Sequence, residues 1–358
     1  MQEDSRRKIL WWGRYDSEYS RNRILKSALK ALGWDCVDFK PWTSATAYIE
    51  ALLRRPDEGF SAIWVPAFRH NDMQAAKYYS RKLSIPLIFD PLISAWDKQV
   101  FERGKFGPES FRGKQLLKRE RKIYALADVV IADTELHARF YRDVLKVPIK
   151  KLAIVPVGAE EEIFTFQSPD RMSKTKEVLF YGSFIGLQGP EVIAQAANLA
   201  PEIRWTMLGA GPLKQKCKEI CSENPSVKFE DWLAYESLPE RIGRASILLG
   251  IFGTTEKPAR VIPNKVYQAL ACGRVVITRE SNAYPERLAR EVEQAVSFVK
   301  PGSPEAIVEE VRMILSNQLK LRSLSHKARK EYDYHFSNGK IKESLLRFMS
   351  KHPTLVSV

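Results

Sequence analysis

Asn264 and Lys265 stand at the head of a segment, VIPNKVYQALACGRVVIT (261–278), that reads as a helix, a glycine stop and a buried strand. Val266 and Leu270 have helical spacing, Gly273 suits a left-handed helix end, and the β-branched run 275–278 suits a strand covered on both faces. Pro263 is expected at the first helical position, where its missing N–H costs nothing. A helix N-terminus carrying an amide and a lysine is a seat for an anionic group. A second seat is expected upstream. Gly182, Ser183, Phe184, Gln188 and Gly189 lie in a glycine loop that follows an apolar run and opens a helix at Pro190. Glycines there let backbone N–H groups approach a diphosphate. Gly209 and Gly211 are expected to keep the next strand end open above the ligand.

The elements that must position these residues form two alternating series. In the first, strands are expected at 8–12, 36–39, 61–65, 86–89 and 129–132, with a helix at 22–32. In the second they are expected at 178–181, 205–208, 227–229, 246–251, 275–278 and 295–298, with helices at 304–317 and 319–336. Strand–helix alternation predicts parallel sheets with right-handed crossovers, hence two doubly wound α/β domains with a cleft between them. The polar stretch 168–176 is expected to link them. Ligands in such sheets collect beyond the strand ends. Gly13, Arg14, Arg21, Asn22 and Arg23 follow the first strand and suit a phosphorylated acceptor or the donor, while Arg69 and His70 follow the third. Asp90 and Asp97 follow the fourth strand, and Asp133, Thr134 and His137 the fifth, where Asp133 or Thr134 also suits a helix cap.

The segments 178–189, 205–213, 227–253 and 263–278, preceded by 129–140 and 154–164, resemble in order the motifs of the family 4 glycosyltransferases. These belong to the bacterial-type, nucleotide-sugar-dependent glycosyl transferases group 1. The resemblance covers about 300 residues and implies the GT-B fold: two Rossmann-like domains, with the acceptor in the first and the nucleotide sugar in the second. It places the boundaries at 1–168 and 169–336, with 337–358 crossing back to the first domain. It also implies that Trp232 and Leu233 contact the base, and that His70, Asp90 or Asp97 helps bind the transferred sugar. The chain departs from the family at four positions. Ser183 and Gln188 stand where an arginine and a lysine commonly neutralise the diphosphate. Arg260 and Gln268 replace two glutamates that contact sugar and ribose. An amide can still bond ribose hydroxyls. Arg260, with Lys265, is therefore expected to supply the missing positive charge, since a guanidinium binds phosphate bidentately. Glu256 is then left for the sugar hydroxyls.

The 358 residues, 44% hydrophobic and 28% charged, are those of a folded two-domain protein. No stretch reaches the roughly 18 apolar residues of a membrane span, and the start lacks a secretory signal, so a cytoplasmic location is expected. Cys36, Cys217, Cys221 and Cys272 suggest neither disulfides nor a zinc site. No paired-aspartate metal motif, Ser-His-Asp arrangement or GxGxxG fingerprint is present, so neither a cofactor nor a bound metal is expected. The net charge of +14 implies an anionic partner. Segment 98–122 holds nine basic residues against three acidic ones, interleaved with Phe101, Phe106, Phe111, Leu116 and Leu117. It suits the anionic inner face of a membrane, or else is a solvated helix with its apolar side in the core. No nucleic-acid recognition motif appears.

The expected activity is transfer of a hexose from a UDP- or GDP-type sugar to an acceptor hydroxyl, in glycan, polysaccharide or glycolipid synthesis. The family resemblance implies retention at the anomeric carbon. The acceptor is expected to be a glycan or a lipid-linked substrate. The alternative is a catalytically inactive GT-B subunit that binds or activates a partner glycosyltransferase.

Overall fold

A computed structural model describes residues 7–54, 59–172, 176–290 and 294–352. The chain divides into two units, residues 1–157 with 338–358, and residues 158–337. The change of unit falls at Val157 and Gly158, ahead of the polar stretch 168–176, whose described residues belong to the second unit.

The first unit runs β1 (Arg7–Trp12), α1 (Ser20–Ala31), β2 (Trp34–Phe39), α2 (Ala47–Arg54), β3 (Phe60–Val65), α3 (Met73–Leu83), β4 (Leu87–Phe89), α4 (Ala95–Asp97), α5 (Phe111–Ala125), β5 (Val129–Ala132), α6 (Glu135–Asp143) and β6 (Leu152–Ile154). All strands are parallel, in the order β2-β1-β3-β4-β5-β6. The twofold period of a strand sends alternate residues of β1 to opposite faces. Leu10 and Trp12 join the core with Ile63 and Val65, whereas Ile9 and Trp11 join the core with Ala62 and Trp64. On that second face Trp11 and Trp64 stack at 5.2 Å.

The second unit runs β7 (Glu177–Tyr181), α7 (Pro190–Leu199), β8 (Arg204–Leu208), α8 (Lys214–Ile220), β9 (Val227–Glu230), α9 (Leu238–Arg244), β10 (Ile247–Leu249), α10 (Asn264–Ala271), β11 (Val275–Arg279), α11 (Glu286–Arg290), β12 (Val296–Val299), α12 (Pro304–Leu315) and α13 (Gln318–His335). Its sheet is also parallel, in the order β12-β11-β10-β7-β8-β9. The chain then returns to the first unit as α14 (Asn338–Met349). Ile341, Leu345, Phe348 and Met349 recur at helical spacing and bury against the Trp11 and Trp64 face.

Each sheet has one place where strand order reverses, between β1 and β3 in the first unit and between β7 and β10 in the second. The crevice beyond the carboxyl ends at such a point is where open α/β sheets hold ligands.

Candidate functional site

In the second unit the glycine loops lock together at the reversal point. The Gly182 N–H donates to Leu208 O at 3.0 Å, and the Phe184 N–H to Ala210 O at 2.9 Å. A Cβ on Gly209 would stand 2.1 Å from the Gly182 carbonyl oxygen, and one on Gly211 would stand 2.6 Å from Phe184 N. Both collisions are with backbone, so glycine alone lets the loops after β7 and β8 touch. Gly189 opens α7, with Pro190 in its first turn. Phe252 of the loop after β10 donates its N–H to Gln188 O at 3.0 Å.

Onto this nest α10 brings Lys265, which is buried. Its Nζ donates to Gln188 Oε1 at 2.7 Å and lies 4.0 Å from the centre of the Phe180 ring. A Cβ on Gly182 would come within 2.9 Å of the same nitrogen. Burial pushes the amine well below the usual lysine range. Among the described residues no carboxylate pairs with it. Pro263 is extended and serves as the N-cap rather than the first helical residue, and no side chain caps this N-terminus. A desolvated cation beside helix N–H groups and a glycine loop is a site for an anion.

Other expected donor-side residues take different places. The Gln268 amide is already held, its Oε1 accepting from the Tyr181 hydroxyl at 2.8 Å and its Nε2 lying 3.3 Å from the Tyr235 hydroxyl. Arg260 lies in a short 3-10 turn and pairs with Glu256 at 2.5 Å, Glu256 being largely exposed. Ser183 and Asn264 are half-buried. Trp232 is half exposed, and a Cβ on Gly209 would meet its indole at 3.3 Å, so the ring lies over the end of β8. Leu233, next to it, is also exposed. Lys214 had no sequence signal. Its Nζ donates to Gly209 O, Glu230 O and Asp231 Oδ1 at 2.7, 2.8 and 2.7 Å, which fixes the loop before Trp232.

In the first unit the candidates separate. Arg21 and Asp90 are fully buried and bond each other twice, at 3.0 and 3.1 Å. Arg21 also donates to Val155 O at 3.0 Å and Pro156 O at 2.7 Å. This pair ties α1 to the ends of β4 and β6, so the arginine expected at the acceptor and the aspartate expected at the sugar bond each other here. Asp97 is buried inside a tight turn. His70 packs edge-on against Phe89, and burial lowers it to about 4. Its Nε2 is 3.4 Å from Glu120, which accepts from the N–H groups of Ala95 and Trp96 and from the Ser94 hydroxyl. Thr134 caps α6, while Asp133 bonds His137 Nδ1 at 2.6 Å, both buried. Asn22 is buried and donates to Asp16 O at 2.8 Å. Exposed Arg14 reaches Trp42 O, and Gly13 sits against Asp72 and Arg69. Segment 98–122 is not one helix. A π-helical turn at Lys98–Glu102 precedes α5, Phe101, Leu116 and Leu117 pack on the core, and Phe111 is exposed.

Among the described residues no group of three His, Cys, Asp or Glu is placed to hold a metal ion, and no helix is long and apolar enough to cross a membrane.

Residues 175–317 match the family model described as Glycosyl transferases group 1. No curated protein matches the sequence. Among solved structures, Anabaena HepE in complex with UDP and glucose is similar over 96% of this chain and 99% of its own, with a TM-score of 0.71 and 12% identity. Sucrose-phosphate synthase from Thermosynechococcus elongatus is similar over 97% and 99%, with a TM-score of 0.76 and 16% identity. A glycosyltransferase from Rickettsia africae is similar over 99% and 100%, with a TM-score of 0.68 and 12% identity. Residues 175–317 thus match the glycosyl transferases group 1 family, within a chain whose fold is that of the GT-B glycosyltransferases.

Proposed function

We propose that this chain is a retaining family 4 glycosyltransferase that moves a hexose from a UDP-sugar to an acceptor hydroxyl. The observation that carries the reading is Lys265, an amine buried beside the Gly182 loop and at the head of α10 with no carboxylate partner among the described residues. Neutralising a diphosphate there offsets the cost of burying it. UDP is the favoured nucleotide because HepE is described with UDP, with UDP and glucose, and with UDP-glucose.

In this reading the 182–189 backbone, the first N–H groups of α10 and Lys265 hold the diphosphate, and Trp232 stacks on the base. Arg260 leaves Glu256 for the phosphates, which frees Glu256 for the sugar hydroxyls. The anomeric C–O bond to the diphosphate breaks as the bond to the acceptor oxygen forms. The acceptor proton passes to the departing phosphate oxygen. The charge that develops there is stabilised by groups already in place.

The acceptor is a glycan or lipid-linked substrate of polysaccharide or glycolipid synthesis. The exposed basic residues of α5 rest on an anionic leaflet in this account. Sedimentation with phosphatidylglycerol vesicles, abolished on reversing Lys114, Lys118 and Arg119 to glutamate, tests that part.

Release of UDP from UDP-glucose and UDP-N-acetylglucosamine tests the activity. Arg260 and Gln268, standing where carboxylates are usual, favour the inactive-subunit reading as a second one. UDP binding without turnover of any UDP-sugar, with or without added acceptors, would select it.

A further inference from the structure

Phe68, just beyond β3, has φ of +65°, a region that crowds a bulky side chain against its own backbone. Ser84 has the same sign of φ because it closes α3. Phe68 closes no helix, and it is not repaid by burial, since the residue is 45% exposed. The conformation is held from both sides. The Phe68 N–H lies 3.4 Å from Pro91 O, and Arg69 is fixed by Asp72 at 2.5 Å and Ser44 at 3.0 Å. Tyr19 meets the Phe68 ring edge-on at 5.1 Å, and Lys98 Nζ lies 6.0 Å from its centre. Tyr19 and Phe68 follow the carboxyl ends of β1 and β3, where the strand order reverses, and Lys98 follows the neighbouring β4. Strained residues that neighbouring bonds hold in place mark ligand contacts.

We propose that Phe68 is the platform on which the acceptor's sugar ring stacks, and that Lys98 selects an acceptor with an anionic substituent on that ring. The apolar C–H face of a pyranose matches an exposed aromatic face, and Tyr19 braces the ring from its edge. An ammonium above the same ring attracts a phosphate or carboxylate carried by the sugar. The inference rests on the first unit being the acceptor side of the transferase proposed above.

The test is saturation-transfer NMR on the full chain with methyl glucoside and glucose 6-phosphate, together with thermal melts. In the parent, both sugars receive saturation at their ring protons. Phe68→Ala and Phe68→Gly each reduce it at least fivefold, and Lys98→Gln reduces it for glucose 6-phosphate alone. Phe68→Gly melts about 2 °C or more above Phe68→Ala, because both lose the ring but only glycine relieves the backbone. Parent-like saturation in Phe68→Ala, no saturation of either sugar in the parent, or equal melting of the two variants would each overturn the inference. UDP binding, measured alongside, keeps the two readings apart. Its absence in the parent counts against the donor site, and its retention with sugar contacts unchanged in Phe68→Ala counts against the platform.

Discussion

Lys265 Nζ is 2.7 Å from the side-chain oxygen of Gln188, a neutral amide standing where a lysine is common in the resembling family. The cation is thus moved from the glycine loop to the helix that faces it. One lysine on α10 reaches the place over Gly182 that a charged residue at 188 would otherwise supply.

That burial has a cost that can be measured. Lys265→Met is expected to raise unfolding stability by about 1 kcal/mol or more near neutral pH, since methionine fills similar volume without a desolvated charge. The gain has a defined pH dependence. The folded-state pKa is lowered, so between it and the ordinary lysine value the unfolded chain binds more protons. Parental stability therefore rises with pH across that interval, and the advantage of Lys265→Met shrinks. Urea titrations of both proteins at pH 7 and pH 10 check both parts.

The contact between the glycine loops predicts a stability loss instead. Gly209→Ala places a methyl 2.1 Å from the Gly182 carbonyl oxygen and forces φ of +128° on an alanine. About 2 kcal/mol or more of destabilisation is expected, together with loss of UDP binding as the two loops part. Gly107→Ala, in the first unit, where the added carbon also meets nothing within 4 Å, is the matched control and should leave UDP binding unchanged.

Arg21 and Asp90 are predicted to be structural. Asp90→Ala leaves a buried guanidinium without its carboxylate and should cost about 3–5 kcal/mol. The double variant Arg21→Met with Asp90→Ala should recover much of that loss, and its UDP affinity should equal the parent's. A double-mutant cycle by chemical denaturation, with UDP titrations of each protein, reads both quantities.

His70 predicts acid sensitivity. Burial lowers its pKa to about 4 from an ordinary value of 6.5, so the unfolded chain binds the extra proton between those values. Stability contributed by the neutral imidazole is present above pH 6.5 and lost as pH falls through 4, a change of about 3 kcal/mol. Glu120 beside it is raised by burial and acts in the opposite sense, so the comparison must be between proteins at one pH. His70→Gln should lose less stability than the parent between pH 7 and pH 4, as measured by urea unfolding.

How much of this was legible in the sequence depended on how local the cause was. The strands around β7 and β11 were readable because continuous apolar runs end in glycine or in a polar residue. β6 has only three residues, two of them half-buried, and it presents no pattern to read. The glycine loops were recognisable from their order. Their interlocking was not, because it depends on Gly209 meeting a carbonyl 27 residues away. A charged residue after a strand reads the same in the sequence whether it meets a ligand or another side chain. Arg21 and Asp90 are 69 residues apart, and only the folded chain shows that each satisfies the other. Gln268 was expected to reach a ribose, but Tyr181 and Tyr235 occupy its amide. Conversely, Lys214 and Phe68 had no sequence motif, and their roles come from backbone atoms brought close by the sheet.

The most direct measurement is calorimetric titration of UDP and of uridine into the parent protein and Lys265→Met. The account predicts that UDP binds the parent at least a hundredfold more tightly than uridine, and that Lys265→Met removes at least tenfold of that advantage while uridine affinity is unchanged. It also predicts that UDP binding takes up a proton above the lowered lysine pKa, seen as a heat that differs between buffers of different ionisation enthalpy. Equal affinities for UDP and uridine, or a Lys265→Met variant that binds UDP as the parent does, would contradict the assignment of this site to a nucleoside diphosphate.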